Sequence, residues 1–315
     1  MKTSRLGKQG PEITRVGFGA WAIGGDGWGP VDDEESISAI RHAIDGGINW
    51  VDTAAFYGQG HSEEVVGRAL EPYAAGEDVL VFTKCGLRWS EDDPGPENNL
   101  RPESIRFECE KSLERLGVER IDLFQFHWPD EMGTPVEESW GTMVELIEEG
   151  KIRWAGVSNF DVKLLDSCEA IRHVDSVQPP LSLIDGAALD EVIPWAHEHG
   201  TGVIVYSPMG SGLLTGRFTK ERAESLSDGD WRKDSPAFRE PALSETLAGV
   251  ERLRTVAEWT NTTVPSLAVA WTLKQSGVTG AIVGARRSDQ VDGWLPAGDL
   301  DLDDETTRDI EATFS

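Results

Sequence analysis

Val79-Leu80-Val81-Phe82-Thr83-Lys84 is an apolar and β-branched run that stops on a lysine, with acidic residues before it and Gly86 just behind. A run of that length bounded by turn residues reads as a buried strand. Similar runs occupy 15–19, 49–53, 122–127, 154–158, 176–178, 203–207 and 281–284, which makes eight in all. Between them lie segments with helical periodicity. Ile37, Ile40 and Ile44 share one helical face, as do Ile105, Cys109, Leu113 and Leu116. The segment 135–149 reads most clearly. Thr134 and Glu137 have the spacing of a capping box, Pro135 suits the first helical position and Gly150 suits the end. Further helices are expected over 62–71, 162–171, 189–199, 243–259 and 265–275.

Strands alternating with helices mean βαβ units and a parallel sheet. Eight such units in 315 residues, with no Pro-, Gly- or Ser-rich linker, fit one (β/α)8 TIM barrel domain over 1–315 better than a two-domain Rossmann protein. Long loops are expected at its C-terminal face. The longest irregular stretch, 208–241, carries Arg217 and Trp231 and reads as a functional loop rather than a spacer. The acidic stretch 299–305 reads as the solvated start of a helix.

The chain carries 56 acidic and 29 basic residues, a net charge of -27. Such a surface repels phosphate backbones and anionic lipid, so nucleic-acid and membrane-surface partners are not expected. Only nine of the cations are lysine. At molar salt the Debye length falls to about 3 Å, so an acidic, lysine-poor chain suits a salt-rich cytoplasm and reads as halophilic. Cys85, Cys109 and Cys168 are odd in number and match no metal spacing; reduced, buried thiols are expected and no metal. The N-terminal MKTSRLGKQG lacks an apolar stretch after its basic residues, which points to a cytoplasmic protein.

In a (β/α)8 barrel, chemistry sits on the loops after the C-terminal strand ends. Asp52, Thr53 and Tyr57 follow the second strand, Lys84 ends the third and His127 ends the fourth. Each stands where a buried apolar residue would be the ordinary choice. Singly, each has a structural explanation; converging on one rim, Asp52, Tyr57, Lys84 and His127 form a general acid/base constellation.

These residues carry a resemblance. Gly47-Ile48-Asn49-Trp50-Val51-Asp52-Thr53-Ala54-Ala55-Phe56-Tyr57-Gly58 resembles the GxNxxDTAxxYG signature of the aldo-keto reductases, and Gly156-Val157-Ser158-Asn159-Phe160 resembles their GxSNF segment. The stretch from Tyr206 to Gly216, YSPMGSGLLTG, is similar to the family's YSPLxxGLLTG loop, and IVGARR from Ile282 to Arg287 to its IPGAR segment. The likeness runs from about Leu6 to Thr313.

The resemblance implies a barrel that binds NADP(H) without a Rossmann domain and interconverts an aldehyde, ketone or sugar carbonyl with its alcohol by hydride transfer. Tyr57 would be the general acid/base, Lys84 with Asp52 the ion pair that depresses its pKa, and His127 the group orienting the carbonyl. Ser158, Asn159 and Gln178 would hold the carboxamide and Tyr206 would stack on the nicotinamide. Trp21, Ser207, Pro208, Met209, Gly212 and Arg217 are assigned to the rest of the cofactor, with Arg217 as a pyrophosphate cation. Gly284, Arg286, Arg287 and Gln290 would meet the adenosine end, the two arginines favouring NADPH over NADH. Val283 stands where the family usually has Pro, and Trp294 where relatives place an Asn against adenine. Trp294 could stack on adenine or belong to the core. Trp28, Trp89 and Trp128 follow strand ends and would form an aromatic mouth for a small-molecule carbonyl or alcohol substrate. An alternative of another class is an NADP(H)-binding regulatory or sensor protein, like the potassium-channel β-subunits.

The charge balance generates a test. On dialysis from molar KCl into dilute buffer the protein should lose secondary structure or activity, because unscreened carboxylates repel. Equal melting temperatures in the two buffers would remove the halophilic reading.

Overall fold

In the computed structural model, residues 1–25, 27–29, 31–73, 78–89 and 95–314 are described. Eight parallel strands close into a barrel: β1 Val16–Gly19, β2 Trp50–Asp52, β3 Leu80–Cys85, β4 Ile121–Phe126, β5 Ile152–Ser158, β6 Ser176–Gln178, β7 Gly202–Val205 and β8 Gly280–Gly284. Each pairs with its neighbour in chain order, and β8 pairs with β1. Helices return the chain between strands: α1 Asp33–Asp45, α2 His61–Leu70, α3 Pro102–Leu116, α4 Val136–Glu148, α5 Val162–Glu169 and α6 Val192–His199. After β7 come α7 Lys220–Glu224, α8 Ala242–Trp259 and α9 Val264–Lys274; after β8 come α10 Ser288–Trp294 and α11 Asp304–Ala312. This is the (β/α)8 TIM barrel, and no described helix is long and apolar enough to cross a membrane.

The barrel is filled in layers. Trp50, Phe82, Leu123, Ile204 and Ile282 point inward and pack as one cluster. Leu6 and Ile13 close its lower end, delivered by an antiparallel hairpin of Thr3–Arg5 with Glu12–Thr14 that the sequence reading missed. Trp50 donates its indole N–H to the Thr14 carbonyl at 2.8 Å, tying floor to wall. Room for the indole comes from Gly17, where a Cβ would lie 2.1 Å from the ring.

One local expectation is corrected and another is extended. Thr134 does not cap α4; its hydroxyl donates to Asp130 Oδ1 at 3.1 Å and its N–H to Oδ2 at 2.7 Å, while Pro135, extended at ψ 140°, is the capping residue. An ionised acceptor four residues back outcompetes the local cap. The acidic stretch 299–305 is more than solvated: Asp299 accepts from the Lys2 N–H at 2.9 Å and Asp301 lies 3.7 Å from Arg15, so it anchors the N-terminal hairpin. Helix α11 then starts at Asp304, with Asp303 accepting from the Thr306 N–H.

The end of β3 is braced from beneath. Glu108, 2% exposed on α3, accepts from the Gly86 N–H at 3.0 Å and from Ser104 Oγ at 3.2 Å. Burial pushes its carboxyl up to about 7, against the pull of those hydrogen bonds and of Arg88. Cys85, Cys109 and Cys168 are free and buried, with burial raising Cys109 and Cys168 to about 12.

Two measurements follow from these contacts. Gly17→Ala must push the Trp50 ring aside, and overpacking of that kind costs about 1–3 kcal/mol, so its melting temperature should fall by several degrees in molar KCl. An unchanged Tm would mean that the floor yields. For Glu108, the native carboxyl holds its proton above the unfolded value of about 4.3, so its contribution is present at acid pH and lost as pH rises through about 7. Glu108→Gln keeps the acceptor for Gly86. Its advantage over wild type should be near zero at about pH 3.5, about 1 kcal/mol at about pH 5 and on the order of 3–4 kcal/mol at about pH 8. A pH-independent difference would contradict the shift.

Candidate active site

At the C-terminal rim the inward layer turns polar. Asp52 ends β2, Lys84 stands on β3, Gln125 on β4 and Gln178 on β6, all buried. Lys84 Nζ donates to Asp52 Oδ1 at 2.5 Å, to the Thr53 carbonyl at 2.9 Å and to the Tyr57 hydroxyl at 3.4 Å. Asp52 Oδ2 accepts from Gln178 Nε2 at 3.0 Å and Gln125 Nε2 at 3.4 Å. The ammonium and the carboxylate therefore have their hydrogen-bonding capacity used, as a buried pair requires.

Tyr57 begins a one-turn 3₁₀ segment, Tyr57–Gly60, directly after β2. Gly58 at φ 61° makes that turn possible, because a Cβ there would meet the Gly24 carbonyl oxygen at 2.2 Å. The loop after β1 thus presses the tyrosine over the barrel mouth. His127, just past β4, meets the Tyr57 ring edge-on at 5.4 Å between centroids.

The electrostatics run against one expectation. The Tyr57 phenol stands well above its ordinary value, first because burial disfavours phenolate and second because Asp52 is anionic. Lys84 does not depress it, since its charge is matched by Asp52 at 2.5 Å and burial lowers the ammonium pKa itself. His127 is held well below its usual range, by burial and then by Lys84, so its imidazole is neutral at pH 7. Its buried Nδ1 has no hydrogen-bond partner.

Asp52, Tyr57 and His127 open on a cavity of about 1130 Å³ that extends over the loops after β7 and β8. Lys84 stands behind them. Every residue expected at the cofactor lines this cavity except Arg287. Asn159 joins three others: its Nδ2 donates to the His127 carbonyl at 2.9 Å and to Ser158 Oγ at 3.1 Å, and its Oδ1 accepts from the Tyr206 hydroxyl at 2.9 Å. Ser207 (φ 55°) and Ser211 (φ 52°) bend the loop after β7 through left-handed turns beside Gly212.

Arg286 does not face outward. Its guanidinium donates to the Trp28 carbonyl across the cleft, and its N–H donates to Gln290 Oε1 at 2.8 Å. Arg287 turns away and pairs with Asp289 at 2.9 Å. Trp294 is 1% exposed and belongs to the core, with its Nε1 unpartnered. Of the three tryptophans expected at the substrate mouth, Trp28 and Trp128 line the cavity, whereas Trp89 packs edge-on against Phe56 at 5.9 Å and is not among the lining residues. Phe56 takes the place expected of Trp89.

Several site residues escaped the sequence reading. Arg222, Arg232 and Arg254 also line the cavity. Arg232 is gripped by Asp230 at 2.6 and 2.9 Å and lies 4.6 Å from the centre of the Trp28 ring. Trp231 stacks on Trp21 at 5.5 Å and donates its backbone N–H to the Gly27 carbonyl, so the loop after β7 clasps the loop after β1. The Asp-x-Arg spacing in 230–232 was the available signal.

Residues 15–314 match the sequence model of the Aldo/keto reductase family. The chain is 37% identical over 311 residues to the aldo-keto reductase YhdN of Bacillus subtilis strain 168, covering 98% of this chain and 92% of that protein. It is 35% identical over 316 residues to the NADH-specific methylglyoxal reductase of Escherichia coli K12, covering 96% and 95%. The solved structure of the glycerol dehydrogenase AKR11B4 from Gluconobacter oxydans superimposes with a TM-score of 0.89 at 38% identity, over 99% of this chain and 94% of that one. With sequence, fold and rim geometry in agreement, the chain belongs to the aldo/keto reductase family.

Proposed function

We propose that residues 1–315 work as one aldo-keto reductase barrel domain that reduces an aldehyde, ketone or sugar carbonyl, or oxidises the alcohol, with NADP(H). One observation carries the reading: a buried lysine, saturated by Asp52 and Thr53, reaches the hydroxyl of a tyrosine at the mouth of a cavity of about 1130 Å³. The residues fit a dinucleotide. The lining holds buried ring nitrogens without a partner at Trp28 Nε1, Trp294 Nε1 and His127 Nδ1, and, among the described residues, five arginines for a polyanion. A bound nicotinamide supplies the hydride.

The chain's own groups do the rest. Tyr57 keeps its proton at neutral pH because its phenol is raised. A high pKa does not disqualify an acid whose acceptor is a nascent alkoxide, since an alkoxide is a far stronger base than a phenolate. His127, neutral, donates an N–H to the same oxygen and orients it. Asn159 fixes His127 through the backbone and Tyr206 through its hydroxyl, and these residues would form a wall for a bound nicotinamide. Trp21 stacks near Tyr57 at 6.2 Å and on Trp231, so the substrate side is aromatic. Oxidation needs the phenolate, so the alcohol-oxidising rate should rise with pH well into the alkaline range while reduction stays level through neutrality.

Tyr57→Phe removes the proton and keeps the ring. Carbonyl reduction, followed by NADPH oxidation in molar KCl against a panel of aldehydes and ketones, should fall by roughly 10²- to 10⁴-fold with NADPH binding intact. Lys84→Met should also stop turnover, but it leaves Asp52 buried alone at a cost of about 3–5 kcal/mol, so Asp52→Asn/Lys84→Met is the folded control. Retention of more than half the rate in Tyr57→Phe would transfer the acid role to His127. NADPH binding by wild type without turnover on any panel member would support the sensor reading instead.

A further inference from the structure

Beyond Gln290 a carboxylate at the edge of the cavity stands between two guanidiniums, that of Arg217 on the lining and that of Arg287 outside it. Asp289 accepts from Arg287 Nε at 2.9 Å and Arg287 Nη2 at 3.2 Å, and its Oδ2 lies 3.7 Å from Arg217 Nη1. Arg217 and Asp289 both line the cavity, on the loop after β7 and on α10. A pair of arginines spaced around one anion is the arrangement that takes a phosphate monoester. Here the protein has placed its own anion there. Arg286, the other candidate for that task, is turned onto the Trp28 carbonyl and is crowded by Arg232, so it faces the middle of the cleft.

We propose that Asp289 is a cofactor-discriminating residue, one that occupies the Arg217–Arg287 fork and thereby narrows the preference for a 2′-phosphorylated dinucleotide. The proposal rests on the dinucleotide reading of this cavity. A 2′-phosphate carries about −1.5 to −2 charges at neutral pH. It must either displace Asp289 from both arginines or sit beside it, and either course weakens its hold. A free ribose 2′-hydroxyl is neutral and donates to a carboxylate, the interaction by which acidic residues favour NAD in other folds. Asp289 therefore opposes one cofactor and accommodates the other. Its side chain is 55% exposed, as is 75% of Arg217, so substitution does not disturb the core.

The test uses the full chain and two fragments that differ only in the phosphate, adenosine 2′,5′-bisphosphate and adenosine 5′-monophosphate, beside NADPH and NADH. Binding is followed by calorimetry at the lowest KCl in which the protein is folded. Asp289→Asn keeps size and a polar contact while removing the charge. It should tighten adenosine 2′,5′-bisphosphate and NADPH by roughly three- to tenfold and leave the monophosphate and NADH level or weaker. In Asp289→Asn/Arg217→Ala/Arg287→Ala that gain should vanish. The gain should also shrink as KCl is raised. Equal shifts for phosphorylated and unphosphorylated ligands, or no shift, would overturn the role of Asp289 while leaving the cavity a dinucleotide site. Failure of wild type to bind any of the four ligands would overturn the dinucleotide reading, and this inference with it.

Discussion

The Lys84–Asp52 pair is the constraint around which the rim is built. Both ions are removed from water, and a buried pair recovers its desolvation only when geometry is good and every remaining lone pair and proton is engaged. Closure of the barrel meets that condition from several strands at once: β2 supplies the carboxylate, Thr53 just past its end a carbonyl, and β4 and β6 the amides of Gln125 and Gln178. Beneath them the tryptophan and phenylalanine layer keeps water from entering below. An apolar pair of equal volume would be as stable or more so. Retention of charge here therefore points to chemistry rather than stability.

The pair acts on its neighbours by field as much as by contact. Burial first and the Asp52 carboxylate second keep the phenol of Tyr57 protonated, and burial first and the Lys84 ammonium second keep His127 neutral. Two neutral donors then face the same space. That arrangement stabilises developing negative charge on an oxygen without first having to give up a bound anion, which is the economy of a preorganised site. Glu108 adds a second tier: by holding the Gly86 N–H it fixes the turn that follows Lys84 at the end of β3, and the Cys85 carbonyl of the same strand accepts the His127 backbone N–H.

Much of this was legible in order along the chain. Strands in a barrel point one way, so their last residues share a rim; Asp52, Lys84 and His127 could be placed together before any coordinates existed, and β2, β3 and β4 end within two residues of the expected positions. What was not legible depends on where loops fold back. Nothing in Trp89 says that Phe56 will stand in front of it, and nothing in Arg287 says that Asp289, two residues on, will claim it. The direction of the Tyr57 shift was misread for the same reason, since burial of the phenol is set by the loops after β1 and β7. The N-terminal hairpin was hidden because three-residue strands carry too little periodicity to register, and its contacts with Trp50 lie 36 residues apart in sequence.

A chain of net charge -27 that gathers arginines into one cleft raises the question of how an anion arrives. Among the described lining residues five arginines stand against the carboxylates of Asp52, Glu258 and Asp289, and Asp52 is already matched from behind by Lys84. At low ionic strength the acidic exterior would repel a dinucleotide before the cleft could attract it. In molar salt, with a Debye length of about 3 Å, neither repulsion nor steering reaches beyond contact. Binding then depends on guanidiniums already in position. Arg232, chelated by Asp230 and packed on Trp28, and Arg286, tied to the Trp28 carbonyl, meet that need because neighbouring loops hold them rigid. The clasp between the loops after β1 and β7 thus holds two of the cleft's guanidiniums in place whatever the reach of long-range electrostatics.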